Sequence, residues 1–419
     1  MRVLWIMYNT MGSAGLYLGK GVRQGGGWID ATMKELLEEE DIELTVAAAC
    51  ASEDKKVVTE EGICYYGISD VQCKIGKGNK KNLPKWEKVI KEVKPDILQV
   101  WGTEFYEGYY IGQVAKKYNI PFLYYIQGVT QAIANYPLGG VSKKEYRRYI
   151  SIFSYWKLWK EKRFQRQLQS QAIVEKQMTR ISDGVIGDNE WFSAYFDGVK
   201  TYRHSLPINE SFVTLKHVDE EAEAQSITCC AGRNAHKGLH VLIKALPSIK
   251  KEYPNVKVYI PGNMNSRSPK CVFEPAYITY INKLIDELEV QENVVFCGQL
   301  TPQQMAERMN QSQIFVLPSC IENHSSTLRE AMYVGLPCIT TMVGSVHEFL
   351  THKENGLIFR YPEAEQLAYQ IKYLLGNAEE RKRLGANAYS SIREKYPQSQ
   401  MGVIKNIYEE VIKNKKKGT

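Results

Sequence analysis

Residues 318–340 read PSCIENHSSTLREAMYVGLPCIT. An apolar run precedes them, a short polar loop carrying Glu322 follows, and a helix is expected from Thr327 to about Val334. Gly335 ends that helix, and Pro337 opens the next apolar strand. Strand, acidic polar loop, helix N-terminus, helix: in this order α/β folds build an anion site outside the carboxyl ends of their strands. The free N–H groups and the positive dipole end of the helix favour phosphate. Glu322 and Glu330, with seven residues between them, add a second chemistry. An ionised carboxylate only accepts hydrogen bonds, so it suits hydroxyls. A ligand that wants both is a sugar attached to a nucleotide diphosphate. A local reading stays open, because Thr327 and Glu330 have the spacing of a capping box. It accounts for Glu330 but not for Glu322 or residues 323–326.

Outward from this stretch the chain alternates apolar strands with amphipathic helices. Strands are expected at 3–8, 44–49, 97–101, 122–126 and 185–187, with helices at 29–40, 85–92 and 108–118. The pattern restarts with strands at 227–231, 256–260, 294–297 and 314–317 and helices at 239–250, 277–288 and 302–310. Such alternation predicts parallel sheets covered on both faces. Residues 206–225 are mixed and acidic without a sustained period, which places a linker there. At 419 residues the chain is too long for one ordinary core and suits two domains of roughly 200 residues each. The division expected is 1–205, the linker 206–225, a second domain at 226–395, and a C-terminal helix with a Lys-rich tail at 396–419.

Composition narrows the class. Hydrophobic residues make up 44% and charged residues 24%, a globular balance. Nine cysteines occur with no C-x-x-C pair; the odd, scattered set argues against a disulfide scaffold and for a reducing, cytoplasmic setting. No apolar run reaches the length of a membrane span, and the N-terminus reads as a first strand and turn rather than a signal peptide.

The segment around Glu322 and Glu330 resembles the E-x7-E signature of retaining, nucleotide-sugar-dependent glycosyltransferases of family 4, also described as glycosyl transferases group 1. The resemblance continues through Ala331-Met332, Gly335-Leu336-Pro337, Gly344, Glu348 and Asn355-Gly356-Leu357. It implies the GT-B fold, two Rossmann-like domains facing across a cleft, with the final helix crossing back to the first domain. It also implies that Glu322 contacts the donor sugar and Glu330 the ribose. Asn323, His324 and Ser325 would then line the sugar and diphosphate, with Ser326 and Thr327 opening the helix that receives the phosphates. Taken alone, His324 reads equally well as exposed and idle. Glu348 follows Ser345 at capping-box spacing and reads as structural.

Residues 227–239, ITCCAGRNAHKGL, run from strand through a small-residue turn to two cations and a helix start. Arg supplies a bidentate fork and Lys a point charge for phosphate. The placement is similar to the family's phosphate site and assigns Arg233 and Lys237 to it, solvated surface charges being the alternative. His236 and His240 are four apart, yet Gly238 intervenes and no third ligand is evident, so no metal site is expected. The donor substrate would be a nucleotide-diphosphate sugar of UDP or GDP type, with no separate cofactor. Gly262, Gln299 and Leu300, after their strands, would frame the base. Gly26 and Gly27, before the first long helix, resemble the family's N-terminal glycine loop, although a plain turn fits nearly as well. Where many family members carry a histidine, this chain has Gln127, which can bond a sugar hydroxyl but cannot exchange a proton near neutral pH. Glu104, at the end of the preceding strand, is expected to bind acceptor or sugar, or else to cap a helix.

Residues 143–166, KKEYRRYISIFSYWKLWKEKRFQR, concentrate Lys, Arg and aromatic side chains in what reads as a helical insert of the first domain. Such a segment suits an anionic membrane surface or simply packs its rings on the domain; no nucleic-acid motif accompanies it. The resemblance thus implies a cytoplasmic glycosyltransferase, peripheral on the inner face of the membrane, acting on a glycan or lipid-linked acceptor in surface polysaccharide synthesis. Two rival readings are a catalytically silent nucleotide-sugar-binding or scaffold subunit, and a nucleotide-sugar epimerase of the same fold.

Overall fold

A computed structural model describes residues 1–19, 27–50, 53–149, 155–262, 276–396 and 400–417. It divides into two compact units, one of Met1–Ala134, Arg166–Pro207 and Ser399–Thr419, the other of Asn135–Gln165 and Ile208–Gln398.

In the first unit the apolar segments become strands β1 (Arg2–Met7), β2 (Glu43–Ala49), β3 (Lys55–Val58), β4 (Cys64–Ile68), β5 (Ile97–Trp101), β6 (Phe122–Tyr125), β7 (Gly184–Gly187) and β8 (Thr201–Arg203). They form one sheet in the order β3-β4-β2-β1-β5-β6-β7-β8, parallel except for the antiparallel edge strand β3. Val3, Leu4, Trp5 and Ile6 of β1 are fully buried, as a central strand covered on both faces requires. The helix Val403–Lys417 packs here: Trp5 Nε1 donates to Tyr408 OH at 2.9 Å, and Tyr408 OH donates to Gln99 Oε1 at 2.6 Å. Ile404, Ile407 and Val411 join the same core.

The second unit holds β9 (Ser226–Cys229), β10 (Lys257–Pro261), β11 (Val294–Gly298), β12 (Ile314–Leu317), β13 (Cys338–Thr341) and β14 (Leu357–Phe359). Their order is β11-β10-β9-β12-β13-β14, and every pairing is parallel. The chain steps from β9 outward to β11, then returns to lay β12 on the other side of β9. This reversal makes the β9/β12 boundary a topological switch point, where the loops leaving two adjacent strands diverge and open a crevice. The helix Leu239–Lys250 covers β9 with Leu239, Leu242, Ile243, Leu246 and Ile249, an apolar stripe at helical spacing.

Two expected boundaries are corrected. Residues 135–165 do not belong to a first domain of 1–205 but to the second unit. Tyr146 and Tyr149 are buried there, with ring centroids 5.7 and 5.1 Å from Tyr280. Glu145 accepts from Tyr280 OH at 2.7 Å and pairs with Lys244 at 2.6 Å. Nor does a linker extend over 206–225, because Ile208 and Phe212 are core residues of the second unit. Asp219 is clamped bidentately by Arg381, at 2.7 and 2.6 Å, with the Arg381 side chain 6% and the Asp219 side chain 5% exposed. Removing one partner leaves an uncompensated buried charge. Arg381→Met is therefore expected to lower unfolding stability by ~3–5 kcal/mol, read by denaturant titration. The double variant Arg381→Met/Asp219→Leu should recover much of that loss; a single variant with wild-type stability would contradict the clamp.

Candidate active site

The loop from Cys229 to Leu239 and the loop after β12 meet at the switch point. Gly238 adopts φ +73°, and a Cβ built on it would lie 1.8 Å from the Pro318 carbonyl oxygen, so only glycine fits this approach. The Cys320 N–H donates to the His236 carbonyl at 2.8 Å, which knits the two loops. Between these ties, Lys237 Nζ donates to both oxygens of Glu322 at 2.8 and 2.9 Å. Ser319 Oγ also donates to Glu322 Oε1, at 2.7 Å. Glu322 is buried at 8% exposure, whereas Lys237 keeps 32% of its side chain open. The cation is thus held in place by a buried acid while one side of it remains reachable.

The 320–325 loop is braced from the β13 side. Gly344, at φ +52°, lies so close that a Cβ would come 2.1 Å from the Glu322 carbonyl oxygen. Ser345 donates through Oγ at 3.1 Å and N–H at 3.3 Å to the Asn323 carbonyl. The helix beyond is Ser326–Val334, starting one residue before the expected Thr327. Its N-cap Ser325 makes no side-chain capping bond, so the Thr327/Glu330 capping box is not formed. Ser325 Oγ is buried without a hydrogen-bond partner among the described residues. The expected Ser345–Glu348 box is also absent; Glu348 Oε2 instead accepts from Tyr396 OH at 3.4 Å.

Glu330 lies half-buried on this helix, and burial pushes its pKa up to about 7, with the neighbouring Arg329 opposing. The Cys230 thiol, just past β9, ties the groups together. Its pKa is raised by burial first, then by Cys229, Glu330 and Cys297, while Lys237 lowers it. Glu330 and Lys237 therefore both lie within electrostatic reach of one atom at the end of β9. Arg233 sits half-buried in the same loop. Gly262 follows β10 and is bridged to Gly298, N–H to carbonyl, at 2.8 Å. Gln299 is exposed and Leu300 half-buried after β11, farther out along the same carboxyl edge. His324 is half-buried, its ring 6.2 Å from Phe349 and 6.0 Å from Tyr396. His240 Nδ1 faces Tyr277 OH at 3.0 Å and Nε2 faces Tyr361 OH at 3.2 Å, a tyrosine cage rather than a pair with His236.

The first unit has its own switch point, between β1 and β5. Gly102 after β5 takes φ +90° and lets the Glu104 side chain fold back over it. The Glu104 carboxylate accepts backbone N–H groups of its own loop and of Gly128, while burial lifts its pKa to about 7. These bonds tie the β5 loop to the β6 loop; the helix Glu107–Lys117 that follows has Tyr106 at its N-cap and no side-chain capping bond. Gln127 lies half-buried between β6 and Gly128. Gly27 opens the helix Gly27–Leu37, and Gly26 lies outside the described residues.

Sequence reasoning missed Glu175. It is fully buried on the helix Tyr155–Ile181 and accepts from Thr103 Oγ1 at 2.6 Å, Thr130 N–H at 3.1 Å and Gln131 N–H at 3.0 Å. Burial, and Glu104 nearby, bear on this acid pair. The signal was present: Gln171, Glu175 and Thr179 fall at i, i+4 and i+8 beside Val174 and Met178. A polar stripe on a buried helix face has to find partners.

Residues 214–391 match the family described as "Glycosyl transferases group 1". The chain is 29% identical over 161 residues to an uncharacterised glycosyltransferase of Methanocaldococcus jannaschii, covering 38% of each. It is 28% identical over 145 residues to N-acetyl-alpha-D-glucosaminyl L-malate synthase of Bacillus anthracis, covering 34% of this chain and 37% of the other. These matches span less than two fifths of the relatives' own lengths. Among solved structures, sucrose-phosphate synthase from Thermosynechococcus elongatus aligns with a TM-score of 0.73 at 15% identity, over 99% of this chain and 100% of that one. HepE from Anabaena in complex with UDP-glucose gives 0.65 at 14% identity, over 99% of both. The fold is GT-B.

Proposed function

We propose that this chain, whose second unit belongs to glycosyl transferases group 1, is a retaining, metal-independent glycosyltransferase. It moves a sugar from a nucleotide-diphosphate sugar of UDP or GDP type to a glycan or lipid-linked acceptor. Surface polysaccharide synthesis at the cytoplasmic face of the membrane is the setting such an acceptor implies. The observation that carries this reading is the Lys237–Glu322 pair at the β9/β12 switch point, 2.8 Å apart, beside an uncapped helix N-terminus. A cation and helix N–H groups there suit a diphosphate, and an acceptor-only carboxylate suits a sugar hydroxyl.

In the reaction the bond from the anomeric carbon to the phosphate oxygen breaks and the acceptor oxygen forms the new glycosidic bond. The acceptor proton passes to the leaving diphosphate. Lys237, Arg233 and the Ser326 end of the helix would meet the charge that develops on that group. Glu322 would orient the sugar and Glu330 the ribose. The test is release of UDP or GDP from a panel of nucleotide sugars with acceptors supplied. Tight nucleotide binding with no release from any donor would overturn the reading in favour of a silent subunit.

Glu330 makes a pH-dependent prediction. Its folded pKa, about 7, lies above that of an unfolded glutamate, so between those values the folded chain holds the extra proton and stability falls as pH rises. Ribose hydroxyls donating to the ionised carboxylate would pull the pKa down, and nucleotide binding would then release a proton below neutrality. Nucleotide affinity is expected to be weaker by up to about tenfold at pH 6 than at pH 8, measured by calorimetry. Glu330→Gln should flatten the profile; an unchanged slope in that variant would remove the ribose assignment.

A further inference from the structure

The chain's charge is concentrated in one place. Residues 143–166 carry nine Lys and Arg against two Glu, an excess of seven. The whole chain's excess, 54 Lys and Arg over 47 Asp and Glu, is also seven, so the rest is balanced. The structure splits this segment into two parts. Its first helix, Lys143–Tyr149, is docked by the Tyr146, Tyr149 and Glu145 contacts already described, and Arg148 pairs with Glu287 at 2.8 Å.

The beginning of the helix Tyr155–Ile181 is different. Its inner side is anchored: Lys157 is 5% exposed and donates to Thr279 Oγ1 at 2.9 Å, while Leu158 packs on the second unit's core. Its outer side presents Trp156, Trp159, Lys160 and Arg163 at i, i+3, i+4 and i+7, a single stripe on a helix. Trp159 is 61% exposed, Phe164 41% and Trp156 36%. Lys160 Nζ lies 4.5 Å from the Trp156 ring centroid, and the Arg163 guanidinium carbon 5.7 Å from that of Trp159. Trp159, left mostly in water, and the open third of Trp156 forgo an apolar gain, which points to a surface that covers them in use. Among the described residues no helix is long and apolar enough to cross a membrane, so any membrane contact by these helices lies at the interface.

We infer that the Trp156–Phe164 stretch of this helix seats the protein on an anionic lipid bilayer. The rings enter the headgroup boundary while Lys160, Lys162, Arg163 and Arg166 meet lipid phosphates and carboxylates. Charge complementarity selects this occupant. A second copy docking face to face would set this net-positive segment against itself, and a folded acidic protein would need a preformed pocket for the exposed rings. A fluid bilayer closes around the rings without one. The inference does not depend on the transferase reading, because vesicle binding needs no donor.

The test is co-sedimentation of the full chain with vesicles of phosphatidylcholine alone or with about one third phosphatidylglycerol. Binding to the anionic vesicles only, weakening with salt, is expected. Lys160→Gln/Arg163→Gln should weaken it on the order of thirtyfold, and Trp156→Ala/Trp159→Ala on the order of tenfold or more, with unchanged unfolding temperatures. Three results would each overturn the inference: wild-type chain left in the supernatant at low salt, either double variant binding like wild type, or a dimer in solution that Trp156→Ala/Trp159→Ala dissociates.

Discussion

Lys237→Ala is expected to lower sugar transfer by about 10²–10³-fold while leaving the chain folded. The size follows from where the cation sits. Lys237 is fixed by both oxygens of a buried carboxylate, and a preorganised charge stabilises developing phosphate charge without reorganising at the moment of reaction. The structural penalty is smaller than for the Arg381 clamp, since a third of the Lys237 side chain meets solvent and Glu322 keeps its Ser319 donor. About 1–2 kcal/mol of stability is the expected loss. Because kcat and stability should part company, each variant needs two measurements: nucleotide release in single turnover and a denaturant midpoint. Lys237→Arg, which keeps charge but not shape, should retain more transfer than Ala. Wild-type rates in Lys237→Ala would remove the phosphate assignment, and with it the observation that carries the proposed function.

The parts of this site that were legible are those written in contiguous residues. The polar loop and following helix at 318–340 stand at the β9/β12 boundary because a helix period and a glycine stop are local signals, and Gly335 does close the helix at φ +89°. Spacing alone misled twice. Thr327/Glu330 and Ser345/Glu348 have capping-box intervals without capping bonds, while Thr301/Gln304, at the same interval, forms the full box. The difference lies in the tertiary surroundings: Glu330 is drawn toward the end of β9 and Glu348 toward Tyr396. The least legible features join residues far apart in the chain. Periodicity marks Tyr146 and Tyr149 as buried but cannot say against which sheet, so the 135–165 excursion into the second unit escaped notice. The partners Asp219 and Arg381 are likewise separated by most of a domain. Glu104 shows a related limit, since whether an acid at a strand end faces a ligand or its own backbone depends on the φ of Gly102 and the placement of Gly128.

Gly238→Ala should do what Lys237→Ala does not, damaging stability and activity together. The residue stands at φ +73°, where an L side chain costs roughly 1–2 kcal/mol. Its new methyl would fall 1.8 Å from the Pro318 carbonyl oxygen, a backbone atom that cannot rotate away, and relieving such an overlap typically costs ~1–3 kcal/mol more. Relief requires the β9 and β12 loops to separate. Lys237 immediately precedes the glycine, and Glu322 follows Pro318 by four residues, so the same movement pulls apart the 2.8 and 2.9 Å contacts that aim the ammonium group. A displacement on the order of 1 Å at such a site is worth about 10² in rate. The expected signature is a midpoint loss of a few kcal/mol in the ~2–5 range together with a roughly hundredfold fall in nucleotide release. Neither change should be rescued by excess donor, because the defect lies in orientation rather than occupancy. A Gly238→Ala chain as stable and active as wild type would mean that the two loops are not held together at this point, and the pairing of Lys237 with Glu322 would then lose its structural cause.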